Sequence, residues 1–241
     1  MLPRIFSPEA LRGASLIVLD PVGSRHLREA LRMRLGDPLI VFDGQGGEYA
    51  ASIAQIDRQQ VSLKLGEHRD ISRESPLFIT LAQGISRGER MDYTIQKAVE
   101  LGVNRIVPLA TDRSTVKLDD ERARKRGEHW SGIMRHAAEQ SGRTGLPVLE
   151  EVRTVVLHAT QEQASLRLML DPGAEISLME LPAASAISLA IGPEGGFSAT
   201  EREILVAAGY QRVRLGPRVL RTETAALVAI ALLQAKFGDL V

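Results

Sequence analysis

Two glycine-rich segments combine a flexible backbone with charged side chains, as small-molecule sites do. The first, Ile191-Gly-Pro-Glu-Gly-Gly-Phe197, follows an apolar run and precedes Ser198-Ala-Thr-Glu201, whose spacing is that of a helix capping box. The second, Leu215-Gly-Pro-Arg-Val-Leu-Arg-Thr-Glu-Thr-Ala225, also stands between an apolar run and a helical segment. Glycine lets the backbone approach a ligand closely, and ligands of open α/β sheets bind beyond the carboxyl ends of strands. We therefore expect the two loops to form walls of one pocket.

Each loop also has a simpler, purely structural interpretation. The first is consistent with a plain strand-to-helix turn. It is neither a G-x-G-x-x-G fingerprint nor a P-loop, because the P-loop lysine and its spacing are missing. In the second loop, Thr222 is placed to cap a helix and Glu223 to form a surface ion pair with Arg218.

Two stretches carry a local excess of positive charge, although the whole chain has 30 basic and 30 acidic residues. Residues 25–34 contain four arginines and one glutamate, and residues 86–145 contain 12 basic and nine acidic residues. Only five of the basic residues are lysines; arginine suits bidentate phosphate contact, and codon bias would explain the ratio equally well. A charged stretch is usually a solvated surface, but two in two predicted domains favour an elongated polyanion as partner.

The composition excludes several classes of protein. Without cysteine, the chain has no disulfide framework, thiolate metal site or cysteine nucleophile. The five histidines lack metal-binding spacing and no G-x-S-x-G motif is present, so neither a metal site nor an α/β-hydrolase triad is expected. The N-terminus lacks a signal-peptide pattern, and the most apolar run, Ala225 to Leu233, is too short to span a membrane. We therefore expect a cytoplasmic protein without a membrane segment.

The first part of the chain predicts a small β-barrel with one helix. Strand-like runs, separated by turn residues, lie at residues 16–19, 39–42, 48–56 and 61–65. After the first of these runs, residues 24–35 predict a helix that turns Leu27 and Leu31 toward the core and its arginines outward. The polar segment 67–76 ends in proline and is predicted to be a linker.

From residue 77 onward, strands alternate with helices, which predicts a mostly parallel α/β sheet. The predicted strands are residues 77–81, 103–109, 166–170, 187–191 and 213–215. The predicted helices begin near residues 91, 130, 198 and 223. Gly102 and Gly209 are placed to end the first and the third of these helices.

Several blocks of the sequence together resemble a known family. They are His26-Leu-Arg28 with Gly36-Asp37, Asp92-Tyr-Thr-Ile-Gln-Lys-Ala-Val-Glu-Leu-Gly102, Thr111-Asp-Arg-Ser114, Ala138-Glu-Gln-Ser-Gly-Arg143 and the two glycine-rich loops. In this order they resemble the bacterial 16S ribosomal RNA (uracil-N3)-methyltransferases of the SPOUT superfamily, over nearly the whole chain. The stretch from about 150 to 186 is less distinctive.

The resemblance implies an architecture and a reaction. Residues 1–72 should be a PUA-like β-barrel that binds RNA. Residues 73–241 should be a SPOUT α/β domain that ends in a deep trefoil knot and forms a homodimer. The implied cofactor is S-adenosyl-L-methionine, and the implied target is N3 of one uridine in 16S ribosomal RNA of the small ribosomal subunit.

The resemblance also suggests roles for individual residues. The expected cofactor-binding residues are Leu170, Asp171, Ile191, Gly192, Pro193, Glu194, Gly195, Gly196, Leu215, Gly216, Leu220, Arg221, Thr222 and Ala225. Uracil N3 carries a proton that a base must remove, or whose loss a cation must stabilise. The candidates for these roles are Glu223 and Arg221, with Glu139 and Arg143 as second choices. The expected RNA-binding residues are Arg25, His26, Arg28, Arg32, Arg34, Arg87 and Arg90.

Two other functions are compatible with the same sequence. A related SPOUT enzyme that methylates the ribose 2′-oxygen or another base would share the fold and the cofactor. A non-catalytic ribosome-assembly protein would retain RNA binding but would not bind the cofactor. A nucleotide-dependent oxidoreductase is less compatible, because no dinucleotide fingerprint is present.

Overall fold

The computed structural model describes residues 2–114, 116 and 119–240. The chain divides into two compact units. The smaller unit consists of Met1–Glu74 and Ala138–Leu146, and the larger unit consists of Ser75–Ala137 and Pro147–Val241. The segment 138–146 of the smaller unit thus comes from inside the predicted second domain. In the part of the chain that is described, no helix combines the length and the apolar character needed to cross a membrane.

The smaller unit is built on a five-stranded sheet in the order β1-β3-β4-β5-β2. Its elements are β1 (Arg4–Phe6), β2 (Leu16–Val18), α1 (Pro21–Arg25), a π-helical turn (His26–Ala30), β3 (Pro38–Phe42), β4 (Glu48–Ile56) and β5 (Val61–Arg69). β1 and β3 are parallel, whereas the other pairs are antiparallel. Apolar side chains of these strands, among them Ile5, Val41 and Leu63, are buried in one core cluster.

The predicted helix over residues 24–35 is wrong in its extent. The Asp20 side chain caps α1 by accepting from the Gly23 N–H group at 2.8 Å, and the π-helical turn ends at residue 30. Arg32 then adopts φ +52°, a left-handed conformation that breaks the helical path. As a result Leu27 is buried as predicted, but Leu31 is 40% exposed, so it does not face the core.

The predicted linker begins too early. β5 continues to Arg69, because His68 and Arg69 pair with Tyr49 and Glu48 at the start of β4. This pairing extends the hairpin beyond its apolar portion, which ends at Leu65. Polar residues at the exposed end of a strand leave no apolar pattern from which the strand could be predicted.

The larger unit contains a parallel sheet in the order β12-β10-β11-β6-β7-β8, with β9 also paired to β7. Its elements are β6 (Phe78–Gly84), α2 (Glu89–Glu100), β7 (Arg105–Ala110), α3 (Asp120–Ser141), β8 (Val148–Leu149), β9 (Arg153–Thr154), α4 (Val155–Gln161), β10 (Leu166–Leu170), β11 (Ala186–Ile191), α5 (Ala199–Ala207), β12 (Gln211–Val213) and α6 (Thr222–Phe237). Every strand pair in this sheet is parallel, which confirms the predicted sheet type.

Most predicted elements of the larger unit are confirmed, but several differ in extent, and β8, β9 and α4 were not predicted. β6 continues to Gly84 instead of ending at residue 81, β12 ends at Val213 instead of continuing to Leu215, and α3 begins at Asp120, ten residues before the predicted start. The first turns of α3 are polar and exposed, so they carry no apolar stripe. Because all strands run the same way, the loops after β6, β7, β10, β11 and β12 meet at one edge of the sheet.

Candidate active site at the carboxyl edge of the sheet

A cavity of about 540 Å³ lies at this edge of the larger unit, within the size range of small-molecule sites. All fourteen residues that were predicted to bind the cofactor line it. They come from the end of β10, the loop after β11, the loop after β12 and the start of α6. The other lining residues are Arg90, Arg113, Pro172, Phe197, Arg202, Val213, Arg218 and Val219.

The loop after β11 is so tightly packed that a side chain would fit neither at Gly192 within the loop nor at Gly84 of β6, which contacts the loop. A Cβ atom on Gly192 would lie 2.8 Å from main-chain carbons of Gly196, and one on Gly84 would lie 2.5 Å from Pro193. Gly196 closes the turn, since its N–H group donates to the Pro193 carbonyl at 2.8 Å and its φ is +67°. The backbone itself therefore forms this wall of the cavity.

The predicted capping box at the start of α5 is present and is tied to a neighbouring loop. The Ser198 hydroxyl accepts from the Glu201 N–H group, and the Glu201 carboxylate accepts from the Ser198 N–H group. Glu201 also accepts from the Asp112 N–H group at 2.8 Å, and Ser198 donates to the Asp112 carboxylate at 2.6 Å. Because the loop after β7 is bonded to the cap, it holds the end of the glycine-rich loop in place.

Thr222 connects the two predicted loops. Its hydroxyl group donates to the Gly192 carbonyl at 2.6 Å and accepts from Gln83 Nε2 at 2.9 Å. Thr222 is the first residue of α6, whose N-cap is Arg221, and no side-chain hydrogen bond caps the helix. The alternative interpretation of Thr222 as a helix cap is therefore wrong.

Glu223 forms its ion pair with Arg90. The purely structural interpretation of the second loop had predicted an ion pair with Arg218. Arg90 Nη1 lies 2.8 Å from Glu194 Oε1, and Arg90 Nε lies 3.9 Å from Glu223 Oε1. One guanidinium group thus joins the glycine-rich loop to the start of α6. Glu223 Oε2 is buried and accepts no hydrogen bond from any described residue, and Glu223 is not among the residues that line the cavity.

Glu194 is held as a carboxylate by its surroundings. Burial raises its pKa, but hydrogen bonds from main-chain N–H groups, including that of Arg87, and from the Arg90 side chain outweigh burial and lower the pKa below its ordinary value. The Arg87 N–H group donates to Glu194 Oε1 at 3.1 Å. The carboxylate thus fixes the segment after β6 against the loop after β11.

The four candidate catalytic residues fall in two different places. Arg221 is exposed and lines the cavity, and Glu223 follows it after one residue. Glu139 and Arg143 are buried in the smaller unit: Glu139 accepts from the Phe6 N–H group, and Arg143 Nε donates to Glu74 at 2.9 Å. These contacts join segment 138–146 to the rest of the smaller unit, so Arg221 and Glu223 are the better candidates.

The candidate RNA-binding residues are also in different environments. Arg25, Arg32 and Arg34 are exposed, and His26 is half-buried. Arg28 instead donates to the main-chain carbonyls of Asp57 and Arg58, which holds the turn between β4 and β5. In the larger unit Arg87 is exposed, whereas Arg90 is paired with carboxylates as described above.

Among the residues of the site that were not predicted, three have polar side chains that bear on its chemistry. Arg113 and Arg202 line the cavity, and Gln83 is fully buried beside Thr222. The signals were weak: Arg113 lies in the quoted Thr111-Asp-Arg-Ser114 block, and Gln83 is a polar residue near the end of an apolar strand.

Comparisons with known proteins identify the family of this chain. Residues 73–234 match the RNA methyltransferase domain family, and residues 23–66 match the RNA methyltransferase PUA domain. The chain is 34% identical to ribosomal RNA small subunit methyltransferase E of Buchnera aphidicola subsp. Schizaphis graminum, over 99% of this chain and 98% of the relative. The chain belongs to the ribosomal RNA small subunit methyltransferase E family. The relative from Bacillus subtilis is 33% identical over 86% of this chain and 84% of its own.

Solved structures of the family resemble the whole chain. Ribosomal RNA small subunit methyltransferase E from Neisseria gonorrhoeae, bound to S-adenosyl methionine, is 36% identical with a TM-score of 0.91, and both chains are covered completely, at 100% each. A Legionella pneumophila protein described as a methyltransferase, in complex with the bound cofactor SAM, is 39% identical with a TM-score of 0.96 over 99% of both chains.

Proposed function

We propose that this protein uses S-adenosylmethionine to methylate N3 of one uridine in 16S ribosomal RNA of the small ribosomal subunit. The observation that carries the proposal is the single cavity that collects both glycine-rich loops in a chain of this family. Its relatives are named for the same substrate class, and two similar structures were solved with the cofactor.

The residues of the cavity fit this cofactor. Gly196 and Gly216 line the cavity, and a Cβ atom on either would meet nothing within 4 Å, so the main chain at these positions leaves space for a flat ring. Apolar side chains that can pack against the adenine ring line the same cavity: Leu170, Ile191, Leu215 and Leu220. When bound, the cofactor supplies an activated methyl group on a sulfonium leaving group.

The protein then has to position the uracil and manage one proton. Glu223 is proposed to accept the N3 proton through Oε2, a buried atom to which no described residue donates a hydrogen bond, once its side chain turns toward the neighbouring cavity. Arg221, exposed at the cavity, is proposed to stabilise the negative charge that develops on the uracil. Arg90 holds the Glu223 carboxylate at the start of α6 and so orients the base.

We also propose the finer architecture that the resemblance implies. Residues 1–72 would form a PUA-like RNA-binding barrel, supported by the family match over residues 23–66. Residues 73–241 would form a SPOUT domain with a deep trefoil knot at its C-terminal end and would assemble as a homodimer. A ribosomal substrate would place the enzyme in the cytoplasm.

The proposed activity can be tested by mass spectrometry of 16S ribosomal RNA from a deletion strain. We expect N3-methyluridine to be lost from one position and restored by the wild-type gene, but not by a gene carrying Glu223→Gln. Loss of a ribose 2′-O-methyl group or of another base methylation would contradict the proposed target. An unchanged RNA, together with no cofactor binding in calorimetry, would contradict an enzymatic role.

A further inference from the structure

The cavity carries more positive charge than its own carboxylates neutralise. Its ionisable lining residues are Arg90, Arg113, Arg202, Arg218, Arg221, Asp171 and Glu194. Both carboxylates already have arginine partners, because Glu194 pairs with Arg90 at 2.8 Å and Asp171 pairs with Arg212 at 2.8 Å. The other four arginines of the lining form no salt bridge with any described residue.

The proposed cofactor does not account for this excess charge. S-adenosylmethionine carries a sulfonium and an ammonium group against one carboxylate, so it is itself a net cation. Four uncompensated guanidinium groups would repel such a ligand, apart from the one that its carboxylate could engage. The remaining charge therefore indicates a second ligand that is strongly anionic.

Three of these arginines come from different elements that meet at the edge of the sheet. Arg113 lies in the loop after β7, Arg202 in the first turns of α5 and Arg218 in the loop after β12. Arg113 and Arg218 are exposed, and Arg202 is half-buried. Arg113 is anchored, since its Nη1 atom donates to the Gly195 carbonyl at 3.0 Å and leaves the rest of the guanidinium group accessible.

We propose that Arg113, Arg202 and Arg218 form a phosphate-binding rim that holds the RNA backbone on both sides of the target uridine. This inference rests on the proposed function. A base that enters a cavity for chemistry leaves the stacked strand, and its flanking phosphates then stay at the mouth. Guanidinium groups bind phosphate oxygens through paired hydrogen bonds, which positions the nucleotide independently of its sequence.

The decisive variant is the double substitution Arg202→Gln with Arg218→Gln, because neither side chain donates a hydrogen bond to a described residue. We expect its affinity for small ribosomal subunits to fall at least tenfold. We expect the slope of log affinity against log salt to flatten by about 0.7–0.9 for each phosphate contact removed. Cofactor affinity measured by calorimetry should stay at or above the wild-type value, because the two removed charges repel a net-cationic cofactor. Arg113→Gln should flatten the salt dependence similarly, and Arg113→Lys should restore most of the slope because the charge that contacts the phosphate is kept.

The matched control is Arg124→Gln, which removes the same charge from an exposed position of α3 outside the cavity lining. We expect it to bind subunits with the wild-type affinity and salt slope. Wild-type RNA binding and salt slope in the double variant would overturn the rim. A loss of cofactor affinity with RNA binding intact would also overturn it, because the arginines would then serve the cofactor. Failure of the wild-type protein to methylate subunits would instead refute the proposed function.

Discussion

The hydroxyl group of Thr222 donates a hydrogen bond to the carbonyl oxygen of Gly192 at 2.6 Å, across 30 positions of sequence. The same hydroxyl oxygen accepts a hydrogen bond from Gln83, at the end of β6. One buried side chain thus holds the glycine-rich loop, the central strand and the start of the C-terminal helix at a common point. The shape of the cavity depends on this point, since the loop after β11 is bonded to Thr222 and the loop after β12 ends at it.

Replacing Thr222 with valine should loosen both loops. The Gly192 carbonyl would lose its bond from Thr222, whereas the Gln83 amide would keep only its bond to the Gly84 carbonyl. An unsatisfied buried group costs about 1–3 kcal/mol. We expect the free energy of unfolding to fall by about 2 kcal/mol in urea denaturation, and cofactor affinity in calorimetry to weaken by about tenfold. Thr222→Ser keeps the hydroxyl group and should behave almost as wild type. Equal affinity in the valine variant would show that the hydrogen bond does not shape the cavity.

Alanine at position 192 should damage the cavity wall. The new Cβ atom would lie 2.8 Å from the carbons of Gly196, so the turn has to shift. Overpacking of this kind costs about 1–3 kcal/mol, and we expect cofactor binding to become undetectable by calorimetry. The matched control is Gly132→Ala, in α3, where a Cβ meets nothing within 4 Å. That change should instead stabilise the protein by about 0.5–1 kcal/mol, because alanine favours helix.

Glu223→Gln should separate catalysis from binding. The amide occupies the same volume but cannot accept the uracil proton, and a positioned general base typically contributes about 10²–10⁴-fold to the rate. We expect single-turnover methylation of small subunits to slow by a factor in this range, while cofactor and RNA affinities stay within a few-fold of wild type. Unchanged turnover in a folded variant would remove Glu223 as the base.

A buried histidine should make the stability of the protein depend on pH. His158 is 1% exposed, its Nε2 atom lies 2.7 Å from the Tyr210 hydroxyl, and burial lowers its pKa to about 4 in spite of the nearby Glu162. In the unfolded chain this histidine binds a proton near its ordinary pKa of 6.5, whereas in the folded chain it stays neutral down to about pH 4. The stability that neutral His158 contributes is therefore complete above pH 6.5 and is lost as the pH falls toward 4.

We expect the free energy of unfolding to drop by about 2 kcal/mol between pH 7 and pH 5 from this residue. Denaturant titrations at the two pH values give the difference directly. His158→Gln retains a hydrogen-bonding side chain without titrating, and it should reduce the pH dependence by the same amount. Glu162 has a lowered pKa as well, but its contribution is lost below pH 4.5, outside this interval. An identical pH slope in wild type and variant would contradict the prediction.

The sequence predicted single strands and helix starts correctly where one face of the element is regularly apolar, or where the capping residues are neighbours in the sequence. β10 lies at the predicted residues, and the Ser198–Glu201 capping box formed as its spacing indicated. The predicted helix was too long where the apolar periodicity continues beyond the end of the helix, as at Leu31. The predicted helix was too short where polar residues form its first turns, as at the start of α3. The start of α3 instead has ion pairs between residues one turn apart, Lys125–Glu121 and Arg124–Glu128, which leave no apolar pattern.

The sequence by itself determined the family, most of the strands and helices in their order, and the two loops that wall the cavity. These depend on short-range features such as glycine turns, helix caps and apolar runs, which neighbouring residues encode completely. The tertiary structure alone decided which charges are neutralised. It paired Arg90 with Glu194, placed Glu139 and Arg143 in the smaller unit, and left Arg113 beside the cavity. Such pairings follow from the strand order of the parallel sheet, which brings together residues as far apart in sequence as Gln83 and Thr222, separated by 139 positions.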